Sequence, residues 1–209
     1  MNDKNSRRAW RVGVSSGLCC VVLACGGGAA DVPVNGASVV VAPVAASTST
    51  AVFTPLVTKD GIDASCGQNG NAGFRAEVLQ RVNALRAAGA VCGTVSYGPA
   101  VALNWDDLLQ KAASEHSADM AQNNYFSHDS LNGKTMGQRL LDAGYSYSAA
   151  AENIAAGDTS VESVVTRWLN SPGHCVNMMN PVYRDVGVAC VRNDAAAYGN
   201  YWTMDLGRS

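Results

Sequence analysis

From residue 32 to residue 58 the chain carries no Asp, Glu, Lys or Arg. Pro33, Pro43 and Pro55 interrupt this stretch, and a Ser-Thr-Ser-Thr tract fills 47–50. Val and Ala recur there without a sustained period of 2 or 3.6, so no apolar face is patterned for burial. The stretch reads as an extended, poorly packed linker. It restricts the folded part of the chain to the residues C-terminal to it. The expected organisation is a leader over 1–24, a linker over 25–65 and one domain over 66–209. As a random coil, a linker of roughly 40 residues holds a domain about 35 Å from its anchor.

The leader has the grammar of export. Lys4, Arg7, Arg8 and Arg11 outnumber Asp3, and an apolar stretch, VGVSSGLCCVVLA, follows over 12–24. That stretch is too short to span a bilayer and suits a secretory signal. It ends in Val22-Leu23-Ala24-Cys25, followed by three glycines, which resembles a bacterial lipobox. Lipid on Cys25 would make it the new N-terminus and make the membrane a partner. The alternative is an ordinary signal peptide that contains cysteines. Both place the protein outside the cytoplasm, in the cell envelope or beyond. The charge balance, 15 Lys+Arg against 17 Asp+Glu, argues against a nucleic-acid partner.

Of seven cysteines, Cys19 and Cys20 fall in the leader and Cys25 at the lipobox. Cys66, Cys92, Cys175 and Cys190 remain, an even number that reads as two disulfides in an exported domain. Four cysteines allow three pairings. The local ones, Cys66–Cys92 and Cys175–Cys190, are the expectation. No Cys-x-x-Cys occurs, which argues against a redox motif or a zinc ribbon.

Within 66–209 the apolar periodicity changes several times. Phe74, Val78, Val82 and Leu85 recur at helical spacing, with Gly89 as a stop. Trp105, Leu109, Ala112, His116 and Met120 predict a helix over roughly 106–123. A short helix is expected over 136–143, ending at Gly144. Val161, Val164, Val165, Trp168 and Leu169 form another stripe, with Thr159 and Glu162 as its capping box and Pro172-Gly173 as its breaker. Val186, Val188 and Cys190, then Trp202, Met204 and Leu206, alternate as strands, and Ala151–Ala155 is a third, short one. Helices enclosing a small antiparallel sheet make an α+β or three-layer α-β-α arrangement.

A series of landmarks runs through the same region. Leu103-Asn104-Trp105, His116-Ser117-Ala118-Asp119-Met120-Ala121 and Phe126-Ser127-His128 come in order, then Gly144-Tyr145 and Glu152-Asn153-Ile154-Ala155. Trp168 with Ser171-Pro172-Gly173-His174, Gly187-Val188-Ala189 and Tyr201-Trp202-Thr203 complete it. Taken together they resemble the CAP superfamily, the cysteine-rich secretory, antigen-five and pathogenesis-related proteins, in its bacterial branch. The resemblance covers about residues 74–207 and implies an α-β-α sandwich with a small, mostly antiparallel central sheet.

It also implies a site. Many CAP domains gather two histidines and two acids in a cleft, and some bind a divalent metal there. By motif, the chain supplies His128, Glu152 and His174. The second acid of eukaryotic members follows the helix tryptophan, where this chain reads Trp168-Leu169-Asn170-Ser171, so Ser171 takes its place. Two imidazoles and one carboxylate suit a zinc-type site with open water positions, or a hydrogen-bonded network with no metal. No cofactor is required on the second reading. Other residues have structural explanations. His116 lies in a helix's apolar register and reads as core, with Asp119 either orienting it or solvated. Glu162 reads as a cap, and Asn153 as a partner for backbone groups. Cys175 beside His174 reads as a disulfide rather than a nucleophile. Three functions are open on this reading: a binding module for a lipid, glycan or protein ligand in the His/Glu cleft, an adhesive domain with a vestigial cleft, and a metal-assisted hydrolase using His128, Glu152 and His174. The missing acid favours the first two; an acid such as Asp129 directed into the cleft would restore the third.

Overall fold

A computed structural model describes residues 63–68 and 70–209 of the chain. The leader, Cys25 and nearly all of the expected linker lie outside the described residues. On the linker side of the expected boundary at residue 66, Ala64 and Ser65 are already buried.

The elements run α1 (Gly70–Ala88), β1 (Ala90–Cys92), β2 (Val95–Tyr97), β3 (Asn104–Trp105), α2 (Asp107–Asn123), α3 (Met136–Ala143), β4 (Ala149–Ala156), α4 (Val161–Asn170), α5 (Pro172–Met179), β5 (Asp185–Asn193) and β6 (Gly199–Arg208). β1 and β2 form a small hairpin, and the main sheet has the order β3-β5-β6-β4. Its long pairings are antiparallel, and only the two-residue β3 runs parallel to β5. Among the described residues no helix is long and apolar enough to cross a membrane.

Alternation along β6 sorts the layers, because successive strand residues point to opposite faces. Thr203 accepts a hydrogen bond from Ser117 of α2 at 2.8 Å, so its row, with Asp205, faces α2. Trp202 stacks on Phe74 of α1, with ring centroids 6.1 Å apart, so the other row faces α1. α3 packs with α2; α4 and α5 pack with α1. The result is the expected three-layer sandwich. The approach of α2 is set by Gly187 of β5: a Cβ there would stand 2.0 Å from the Gln110 nitrogen.

Helix starts follow from side chains that satisfy the free N–H groups of a first turn. Asp106 caps α2 through Leu108 and Leu109 at 2.8 and 2.9 Å. Thr135 and Gln138 form a reciprocal box on α3, and Gly144 ends it at φ +100°, where glycine is favoured. α4 departs from expectation. Its box is Ser160 with Ser163, not Thr159 with Glu162. Gln68 brackets the start, accepting from Val161 N–H at 3.1 Å and donating to Thr159 O at 3.2 Å. That fixes the start one residue later and leaves Glu162 to face Arg81. Pro172 ends α4 but also begins α5, since proline suits the first helical position.

The disulfides correct the expected pairing. They are Cys66–Cys190 and Cys92–Cys175, with Cα atoms 5.2 and 5.4 Å apart. The reason lies in the layers. The entering chain runs beside β5, with Cys66 N–H on Cys190 O at 3.0 Å and Cys190 N–H on Ala64 O at 2.7 Å. Cys175 instead packs with Cys92 and Met179, where α5 meets the β1–β2 hairpin. α5 is therefore clamped to the hairpin rather than to β5.

Arg86 secures the turn between α5 and β5. It is fully buried and donates to the carbonyls of Val101, Met178, Asn180 and Tyr183 at 2.6–3.3 Å.

Candidate functional site

The candidate site lies at β4, the edge strand of the main sheet. Glu152 comes from β4 on the α2 side, His128 from the segment between α2 and α3, and His174 from the first turn of α5 in the opposite layer.

Glu152 and His128 meet directly. His128 Nδ1 stands 2.7 Å from Glu152 Oε1, with the imidazole side chain 55% exposed and the carboxylate 2% exposed. The second oxygen of Glu152 is also taken. Arg139 of α3, itself buried, donates from Nη2 to Oε2 at 2.5 Å. Its Nη1 reaches His128 O at 2.9 Å and Ser130 Oγ and Lys134 O at 3.2 Å. Arg139 thus ties the carboxylate and the loop carrying His128 to one guanidinium.

Burial alone would raise the Glu152 carboxyl, but the His128 hydrogen bond and the Arg139 charge hold it below its usual range. The same hydrogen bond raises the His128 imidazole. His174 is lowered, first by burial and then by the positive charge of His128. That influence links the two imidazoles electrostatically; His174 Nδ1 is buried and has no hydrogen-bond partner. The main chain of His174 is held by Asn153, which donates to its carbonyl at 3.1 Å and accepts from Asn177 at 2.8 Å. Asn153 therefore serves backbone groups, as expected.

The remaining candidates are placed elsewhere. Ser171 joins α4 to α5 and lines a surface depression with Asp158, Ser163, Thr166, Arg167 and Asn170, none of which is a cleft residue. Asp129 is exposed, and its charge is felt at His128. His116 is core: fully buried, its Nε2 lies 2.9 Å from Ser127 O, and burial lowers its pKa to about 4. Neutral His116 therefore donates from Nε2 and pins the residue before His128. Asp119 accepts from the hydroxyl of Tyr125 and from Asn123 at 2.8 Å.

Two further residues belong to the site. One is Arg139, which sits beside the apolar stripe of α3 and carries no motif. The other is Asp205, directly across the ladder from Glu152 and fully buried. Its only sequence signal is an acid between the apolar residues Met204 and Leu206.

Glu152 is not presented as a ligand to the metal that the resemblance implies. Both Glu152 oxygens are bonded, His128 Nδ1 is bonded, and the described residues contain no group of three His, Cys, Asp or Glu side chains able to hold an ion. The arrangement offers a half-exposed imidazole on a buried ionic support, with a second imidazole nearby.

Similar proteins agree with this architecture. The chain is 38% identical over 104 residues to the uncharacterised protein YkwD of Bacillus subtilis (strain 168), covering 50% of this chain and 38% of that one. It is also 38% identical over 90 residues to the uncharacterised membrane protein YlbC of the same organism, covering 43% and 26%. In both cases the chain spans less than half of the relative's length. Among solved structures, an extracellular SCP-domain protein of Bacillus anthracis str. Ames superposes with a TM-score of 0.51 at 28% identity, over 73% of this chain and 44% of that one. An outer surface protein of Borrelia burgdorferi shares the fold, with a TM-score of 0.51 at 23% identity over 64% and 87%. Residues 79–206, more than half of the chain, match the CAP family, and the chain belongs to this cysteine-rich secretory protein family.

Proposed function

We propose that this chain is an exported protein of the cell envelope, held at a membrane by lipid on Cys25, whose CAP domain binds a lipid, glycan or protein ligand in the cleft of His128, Glu152 and His174. One observation carries the reading. Glu152 has both oxygens committed, to His128 and to Arg139, so it supports the imidazole rather than reacting. The polar groups left for a ligand are the outer edge of His128 and the ring of His174. Export is supported by the leader's charge and apolar pattern and by the two disulfides, which persist in oxidising compartments. The extracellular relative from B. anthracis is consistent with it.

A metal-assisted hydrolase acting on peptide or wall material has less support. It would ask Glu152, already bonded to His128 and Arg139, to serve an ion or a water as well. A binding experiment tests the main reading. Wall glycan fragments, vesicles of envelope lipid and an envelope protein fraction are each offered to wild type and to His128→Ala. Retention of one class by wild type and its loss in the variant is expected. Retention of none, or equal retention by both proteins, would overturn the reading.

A further inference from the structure

We propose that Phe126 and Tyr198 form a stacking corner for a ring of an uncharged glycan chain, which names the ligand class of this domain. The inference rests on reading the neighbouring cleft as a ligand site. Phe126 comes from the segment between α2 and α3, and Tyr198 from the turn between β5 and β6. Their ring centroids stand 6.0 Å apart at 60°, and the two residues are 44% and 53% exposed. Single exposed apolar residues are ordinary on a protein surface. These two touch one another and are held. Tyr198 also meets the buried Tyr201 edge-on, with centroids 5.8 Å apart. Asn124, in the left-handed region at φ 52°, accepts from Ala197 N–H at 2.7 Å and from the Tyr201 hydroxyl at 3.3 Å. His116 bonds Ser127 O at 2.9 Å, next to Phe126. Both loops are thus fixed in place, which spares a ligand the cost of ordering them.

Size and charge select the occupant. The pair is half-exposed, and with about 150–250 Å² per aromatic side chain it offers on the order of 200 Å². A stable protein interface takes roughly 800 Å² from each partner. An anionic membrane surface is recognised by clustered Lys and Arg. Over 121–130 and 192–200 the charged residues are Asp129, Arg192 and Asp194, and Arg192 is paired with Asp194 at 2.7 Å. A sugar ring fits the smaller area. Its C–H face is slightly positive and suits the negative face of an aromatic ring. Its hydroxyls need neutral donors and acceptors close by, which the exposed Tyr198 and Ser127 hydroxyls and the half-exposed His128 ring supply. An extended chain covers about 3.3–3.6 Å per residue, so the Cα atoms of Phe126 and His128 lie within about 7 Å. A glycan stacked on the pair therefore reaches the imidazole.

The test titrates chitotetraose and cellotetraose, both uncharged, into the full chain and follows the ring NMR signals of Phe126 and Tyr198. At least one sugar is expected to move both signals saturably in wild type. Phe126→Ala and Tyr198→Ala are each expected to weaken that binding roughly three- to tenfold. Phe126→Leu keeps apolar bulk without a ring face and is expected to weaken it as much as alanine does. Binding of neither sugar would overturn the proposal. So would binding that leaves the two ring signals still, binding that Phe126→Leu preserves, or capture of anionic lipid vesicles in place of both sugars. If the alanine variants do not fold, the wild-type signals and Phe126→Leu decide. His128→Ala separates this proposal from the reading beneath it. Sugar binding lost in His128→Ala but kept in the aromatic variants would overturn the corner and leave the cleft reading standing. Binding lost in the aromatic variants but kept in His128→Ala would support the corner and overturn the cleft reading.

Discussion

Asp205 stands directly opposite Glu152 on the antiparallel β4–β6 ladder and is fully buried. Burial, and then the negative charge of Glu152, hold its carboxyl well above the usual range. The folded protein thus keeps a proton on Asp205 that the unfolded chain releases near pH 4. Above that point the folded state binds more protons than the unfolded state, so this residue lowers stability as pH rises toward its own raised pKa. Asp205→Asn removes the ionisation at nearly constant shape. The variant is expected to gain stability relative to wild type as pH rises from 4 to 8, measured by denaturant midpoints. A stability difference that is constant across that range would contradict the assignment.

His116 works in the opposite direction. Its folded pKa of about 4 lies below the ordinary histidine value, so between the two the unfolded chain binds a proton that the folded protein refuses. Stability contributed here is complete at neutral pH and is lost as pH falls through that window. The size is about 3 kcal/mol between pH 7 and pH 4. His116→Phe keeps an aromatic ring against Tyr125 and cannot titrate. Its stability is expected to fall less steeply than that of wild type on acidification; parallel curves would contradict a buried neutral His116.

The disulfide pairing predicts which peptides travel together. Non-reducing peptide mapping should recover Cys66 with Cys190 and Cys92 with Cys175. The linked residues are 124 and 83 positions apart, and the chain-entropy model assigns loops of that size about 4–5 kcal/mol each. Reduction should therefore lower the thermal midpoint markedly. Recovery of Cys175 with Cys190 would contradict the layer assignment of α5.

Gly187 sets the contact between β5 and α2. A Cβ there would lie 2.0 Å from Gln110 N and 2.4 Å from the Leu109 carbonyl carbon, both backbone atoms that cannot rotate away. Gly187→Ala is expected to cost at least the roughly 1–3 kcal/mol typical of overpacking, read as a lowered thermal midpoint. An unchanged midpoint would mean that α2 does not approach the sheet this closely.

Residues that repeat with a period were legible in the sequence. α2 starts one residue from the expected position, α3 coincides with it, and β5 and β6 follow the alternation of Val186 and Val188 and of Trp202 and Met204. His128 and Glu152 were legible through motif order, and they do meet. The features that escaped depend on neighbours distant in sequence. The cysteine pairing follows from which layer α5 joins. α5 itself was hidden because Pro172-Gly173 reads as a breaker, although proline also opens helices. Asp205 alternates with buried residues and so resembles the wet face of a strand, yet α2 covers that face. Arg139 looks like any surface arginine until Glu152 is placed beside it. The role expected for Ser171 came from its distance to Trp168 along the chain, whereas the α4–α5 junction puts it beside Asp158 and Arg167.

The protein has three histidines, of which His116 is fully buried while His128 and His174 are not. Their imidazole NMR signals can be followed while wall glycan fragments, envelope lipid vesicles or an envelope protein fraction are titrated into the full chain. One of these is expected to move His128 and His174 together and to leave His116 in place. If none of the three moves either His128 or His174, the two histidines do not form a ligand site, which would contradict the proposed function.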